Sequence, residues 1–170
     1  MKKHSGMRPQ DIVILLKIAS IEHQNWYIKD IAYELGISQS ETSESLHRSS
    51  YAGLISGDKK KLMRKELLDF LIYGIKYVYP QRPGPIVRGM PTAHSAPPLN
   101  KIIHSDEAYV WPSGQGNSKG QSIEPLHSSV IKACTNDKIL YEYLSLVDAI
   151  RVGRVREQKL AVDELRKKII

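Results

Sequence analysis

The sequence predicts a mainly α chain in three parts: a helical N-terminal unit, a Pro/Gly-rich segment holding a small β-hairpin, and C-terminal helices. Three observations predict it. Apolar residues recur at helical spacing from Arg8 to about Tyr79. Eight of the nine prolines then fall between positions 80 and 125, where no long helix can run. Beyond them "DKILYEYLSLVDAIRV" (Asp137–Val152) restores the helical spacing. The chain therefore divides into 8–80, a recognition unit, and 81–170, a loop-rich and β-hairpin segment with C-terminal helices for dimerisation or partner binding.

The elements follow in order. Pro9 pre-sets the first helical turn, and Ile12, Leu15, Leu16 and Ala19 give that helix one apolar face. "EHQNW" is a polar break. Ile28, Ile31, Ala32 and Leu35 make a second, short helix that Gly36 ends by accepting φ > 0. Ser38 caps a third helix, with Glu41 at the capping-box spacing, and Gly53 closes it. A fourth helix is expected from about Lys61 to Tyr77, weakened at Gly74. "AYVWP" followed by "SGQGNSKGQSIEPL" predicts a β-hairpin, with its turn between Gly114 and Gly120. Asn136 then caps a helix carrying Leu140, Leu144, Val147 and Ile150, and Gly153 separates it from a last helix.

Composition narrows the function. Apolar residues reach 41% of 170, enough for a core, and the net charge of +7 favours a polyanionic partner. The basic excess is spread along the chain, 12 basic against 9 acidic groups in 1–80 and 13 against 9 in 81–170. "DKKKLMRK" (Asp58–Lys65) concentrates five basic groups against one acid. No apolar run approaches the ~20 residues of a membrane span, and no apolar stretch follows the basic "MKKHSGMRPQ" as a signal peptide requires. A cytoplasmic protein with no membrane contact is expected. Cys134 stands alone, so neither an internal disulfide nor a cysteine zinc site is available, and it is expected to be structural. The six histidines include no i, i+4 pair and no HExxH. Neither the G-x-S-x-G elbow nor phosphate-loop spacing occurs. No catalytic residue, metal or cofactor is expected.

The strongest motif is "IKDIAYELGISQSETSESL" (Ile28–Leu46). A helix-turn-helix needs a small residue where its helices cross, here Ala32. Four positions on it needs a residue that tolerates the left-handed conformation, here Gly36, then an apolar plug, Ile37, a cap, Ser38, and a core anchor, Leu46. "AGLI" (Ala52–Ile55) ends the third helix. Residues 8–60 resemble the core of bacterial winged-helix regulators, the MarR-like group in particular. That resemblance implies a third helix lying in the major groove and a basic β-wing touching the backbone beside it. It implies Ser38 as cap, and Gln39, Ser40, Ser43, Glu44, His47 and Arg48 as outward residues facing DNA. Lys59, Lys60 and Lys61 then meet phosphate, with Arg64 and Lys65 adding charge.

The chain departs from the family at three points. Thr42 and Ser49 stand at positions that are usually apolar. The helical pattern resumes at Leu62, only seven residues after Ile55, which leaves little room for a wing. Glu41 and Glu44 put two carboxylates near the reading face. Two functions stay in view. The first is a sequence-specific transcriptional regulator that binds double-stranded DNA as a homodimer through Leu140, Leu144, Val147 and Ile150. The second is a protein-interaction module, antitoxin-like or adaptor, whose helix-turn-helix is secondary and whose partner is a protein.

Overall fold

The computed structural model describes residues 6–21 and 23–170. Met1–Ser5, on which the leader expectation partly rests and which include His4, lie outside the described residues, as does Glu22. Among the described residues the chain is mixed α/β, with eight helices and three short strands. None of those helices is long and apolar enough to cross a membrane.

Helix α1 (Pro9–Ser20) runs through the centre of the molecule. Every residue from Asp11 to Ser20 is buried, so the expectation of a single apolar face is too narrow. The helix packs on α2 (Ile28–Leu35) and α3 (Gln39–Tyr51) and also on α7 (Lys138–Val152). Its two charges are enclosed with it, and each has partners. Lys17 Nζ donates to Asp137 Oδ2 at 2.7 Å and pairs with Glu34. Burial alone would lower the Lys17 ammonium, but these two carboxylates outweigh it and hold the group above its ordinary value.

Gly36 ends α2 at φ +66°, the left-handed conformation its position requires. Ile37 plugs the corner, and Ser38 Oγ accepts the Glu41 backbone N–H at 3.1 Å. Gly53 closes α3 at φ +78°. A tight hairpin follows in the space that looked too short for one. Ile55 and Leu62 pair antiparallel, Ser56 N donates to Lys61 O at 2.8 Å, and Met63 N donates to Leu54 O at 3.0 Å. At its tip Lys59 holds φ +60°, a strained value for a residue with a side chain.

The single helix expected at 61–77 is two. Helix α4 (Arg64–Tyr73) stops at Gly74, and α5 (Ile75–Val78) follows it. A Cβ at Gly74 would sit 3.0 Å from the Phe70 ring, so the glycine leaves room for that ring at the break.

The proline-rich segment forms three strands, and the expected hairpin is corrected. Strand β1 (Ile86–Pro91) pairs antiparallel with both β2 (Tyr109–Pro112) and β3 (Ser118–Ser122). The latter two run parallel and close the ring, Tyr109 opposite Gln121. The loop 113–117 therefore crosses β1 instead of turning back on β2. Glycines permit the crossing: a Cβ on Gly116 would meet the Gly89 backbone at 2.3 Å. The ring is fixed to α7 by a buried carboxylate. Asp148 accepts from Thr92 Oγ1 at 2.8 Å, Trp111 Nε1 at 2.6 Å and Arg151 Nη1 at 2.9 Å. Burial pushes this carboxyl up, and the three donors oppose it.

An unforeseen helix, α6 (Val130–Asn136), precedes α7. The α7 cap is Asp137, one residue beyond the expected Asn136, and it accepts Leu140 N at 2.9 Å. Helix α8 (Val155–Ile169) folds back on α7 and also packs on α4. This cover decides the fate of the expected dimer stripe. Leu140, Leu144, Val147 and Ile150 are all buried within the one chain, in the same core cluster as α1. They are core residues, not surface for a second copy.

Candidate functional site

Helix α3 presents two very different faces. Gln39, Ser40, Glu44 and His47 are exposed, Ser43 is half-buried, and Ser38 caps the end that they share. The opposite face is polar yet buried: Thr42, Ser45 and Ser49 surround the one apolar anchor, Leu46. Thr42 Oγ1 donates to Ser38 O at 2.9 Å, whereas the hydroxyls of Ser45 and Ser49 find no partner among the described residues. Short polar side chains at the usually apolar positions are thus accommodated by close packing on α1, not by a bulky plug.

Arg48, expected to face DNA, turns inward. Its Nε and Nη2 donate to the two oxygens of the buried Asp11, at 2.9 and 2.7 Å. Its Nη2 also reaches Glu41, whose carboxylate accepts from Gln10 Nε2 at 3.2 Å. The resemblance set Arg48 with His47 among the outward residues; the buried acid in α1 turns it inward. The same contact draws Glu41 away from the outer face of α3 and leaves its capping box half made. Burial would raise the Glu41 carboxyl, but the Arg48 and Gln10 hydrogen bonds outweigh it and hold it below the usual carboxylate range.

The lysine cluster lies on the hairpin. Lys59 Nζ stands 2.8 Å from His47 Nδ1 and 2.9 Å from Nε2, so the ammonium lies against the imidazole ring. This contact ties the hairpin tip to the exposed face of α3. The backbone N–H groups of Lys60 and Lys61 donate to Ser56 Oγ, which leaves both side chains exposed. Asp58 is anchored here by Ser56 and by Lys60 N, hydrogen bonds that hold its carboxyl low. Lys65 is exposed, and Arg64 Nη1 donates to Ile169 O at 3.1 Å.

A groove of about 1030 Å³ opens between the hairpin and the α1–α2 loop. Its apolar lining comes from Ile18, Leu46, Leu62 and Met63, and its outer wall includes Trp26 and Tyr27. Tyr27 is 65% exposed, with Lys29 Nζ 5.8 Å from its ring centroid. The sequence treated "EHQNW" as a mere break. Two adjacent aromatics at the end of a polar loop were the signal available there.

The other candidates for chemistry separate. His94 is buried, with Nε2 donating to Glu107 O at 2.7 Å, and His104 and Asp106 line a smaller cavity of about 410 Å³ next to it. Among the described residues no group of three or more His, Cys, Asp or Glu could hold a metal ion. Burial pushes the Cys134 thiol far above its ordinary value, as for an inert structural cysteine. Comparison with protein-family models, curated proteins and solved structures gives no match. The geometry of α3 and its hairpin therefore carries the functional reading.

Proposed function

We propose that this chain binds double-stranded DNA through the exposed face of α3 and the lysine hairpin, and that it regulates transcription. The resemblance of residues 8–60 to winged-helix regulators supports the reading. The observation that carries it is the Lys59–His47 contact, which sets a cationic hairpin edge-on to a helix whose outer side chains make no core contacts. Gln39, Ser40, Ser43 and His47 face the bases, Glu44 accepts from a cytosine amino group, and Lys60 and Lys61 lie against phosphate. Lys65 adds to the same field. Arg48 positions α3 from inside and touches no DNA.

Two α3 helices about one DNA turn apart call for a two-fold dimer. Its surface lies elsewhere than α7, and exposed Tyr73, Tyr77 and Val78 offer an apolar one. The test is fluorescence anisotropy on a duplex of the chain's own promoter and on a scrambled duplex, at several salt concentrations. Promoter preference is expected, with a steep salt slope that Lys60→Glu with Lys61→Glu reduces by about two units for each copy bound. Equal weak binding to both duplexes overturns the reading. A protein-interaction module is the second reading, favoured by Tyr33 and Tyr51, which are 87% and 81% exposed on α2 and α3. The same double variant leaves partner capture intact if that reading holds.

A further inference from the structure

Helix α8 packs on α7 and α4 with Ala161, Leu165 and Ile169 inside, and its opposite side is cationic. Arg156, Lys159, Asp163 and Arg166 follow one another three, four and three positions apart. That spacing sets them in one row along the helix, and all four are exposed. The other basic groups of α8 are engaged: Arg154 by Glu107 at 3.2 Å, Lys167 by Glu164 at 2.9 Å and Lys168 by Glu142 at 2.6 Å. Arg156, Lys159 and Arg166 have neither an ion pair nor a side-chain hydrogen bond among the described residues. The helix dipole accounts for Arg166, in the last turn, but it works against Arg156, in the first. The row also continues the cationic field of the hairpin. Arg64 Nη1 donates to Ile169 O across 105 positions, so the last turn of α8 meets the first turn of α4, where Lys65 is exposed.

We infer that α8 is a second contact to the backbone of the bound duplex, with Arg156, Lys159 and Arg166 against its phosphates. This inference rests on the DNA reading. Arg156 and Arg166 are about 15 Å apart along the helix axis, or about four base-pair steps, so the row has several phosphates within reach. A lipid surface suits it less well. The apolar face of α8 is buried in the core, and only Val155 and Ile170, at the two ends, add exposed apolar surface. A second copy of the row would meet like charge, and no aromatic stands in it for single-stranded bases to stack on. Contacts of this kind hold the backbone without reading bases, so they strengthen binding to every duplex alike.

The test is anisotropy on the promoter and scrambled duplexes over a range of salt, with two triple variants of equal charge change. One carries Arg156→Gln, Lys159→Gln and Arg166→Gln. The other carries Arg82→Gln, Arg88→Gln and Lys119→Gln, which removes exposed cations of the proline-rich segment. The α8 variant should lower the salt slope by about two to three units for each copy bound, equally on both duplexes, and the control by less than about half a unit. Far-ultraviolet circular dichroism of both should match the wild type. A wild-type slope in the α8 variant overturns the inference and leaves the α3 reading standing. Equal losses from the two variants overturn it as well, because net charge alone then accounts for them. Tighter binding to phosphatidylglycerol vesicles than to the scrambled duplex, lost in the α8 variant, replaces DNA by a lipid surface and overturns it too. Weak and equal wild-type binding to both duplexes removes the α3 reading. A slope then lost in the α8 variant but kept in Lys60→Glu with Lys61→Glu supports α8 as a backbone contact, and no binding to either duplex removes both.

Discussion

Helices α3 and α7 are both held against α1, and by opposite means. Helix α7 is fastened by apolar burial, with Leu140, Leu144, Leu146, Val147 and Ile150 all inside. Helix α3 places one leucine, three hydroxyl side chains and an arginine on its inner face. Its orientation therefore depends on one polar network, Asp11–Arg48–Glu41, where α7 adds a broad apolar contact area to the single Lys17–Asp137 pair at its cap. Apolar packing is insensitive to direction, while a bidentate arginine fixes both angle and register. The helix proposed to read DNA is the one aimed by hydrogen bonds. The helix that only supports it is held mainly by bulk.

The largest test of this contrast is Arg48→Met, which leaves Asp11 buried without its partner. A loss of about 3–5 kcal/mol is expected by urea unfolding. A loss under about 1 kcal/mol would mean that shape, not charge, holds α3. Leu144→Ala comes next, at about 2–5 kcal/mol from lost burial and a cavity. Light scattering on this variant should show the wild-type mass, since Leu144 meets no second copy. A change of mass without loss of stability would return it to an interface.

The smallest effect is one of pH. The Glu41 carboxyl is held below its unfolded value, so its contribution is complete above the ordinary carboxylate range near pH 4 and fades as pH falls through and below that range. The pair is partly open to solvent, so within about 1 kcal/mol should disappear on acidification from pH 6 to pH 3. Glu41→Gln should flatten that part of the profile. An unchanged slope would assign the acid sensitivity to other carboxylates.

The helical half of the molecule was legible because its signals are local. Pro9, Gly36, Ser38 and Gly53 punctuate the chain within a few residues of the helix ends they set. The inward turn of Arg48 was not legible, since its cause is an aspartate 37 positions away. Nor was the strand ring. Strand β1 is hidden among prolines, and its pairing with β2 and β3 spans intervals no spacing rule covers. The α7 stripe was seen correctly as apolar, yet a stripe does not say whether its cover comes from the same chain; here α1 and α8 supply it. At the site, the exposed α3 residues and the lysines could be listed in advance. The groove behind them could not, because it exists only where a loop, a helix and a hairpin meet.

The strand ring has a consequence for how the molecule behaves in a crowded solution. The segment 86–122 holds the β-forming residues Ile86, Val87, Val110 and Trp111, and in an open sheet its borders would offer unpaired backbone to neighbouring chains. In this ring each strand pairs with both of the others, but over short stretches: Ile86–Arg88 of β1 pair with β3 alone, and Met90 and Pro91 with β2 alone. Interruption of the border after two to four residues, with glycines where backbones cross, leaves no long edge on which like chains could exchange strands or build fibrils.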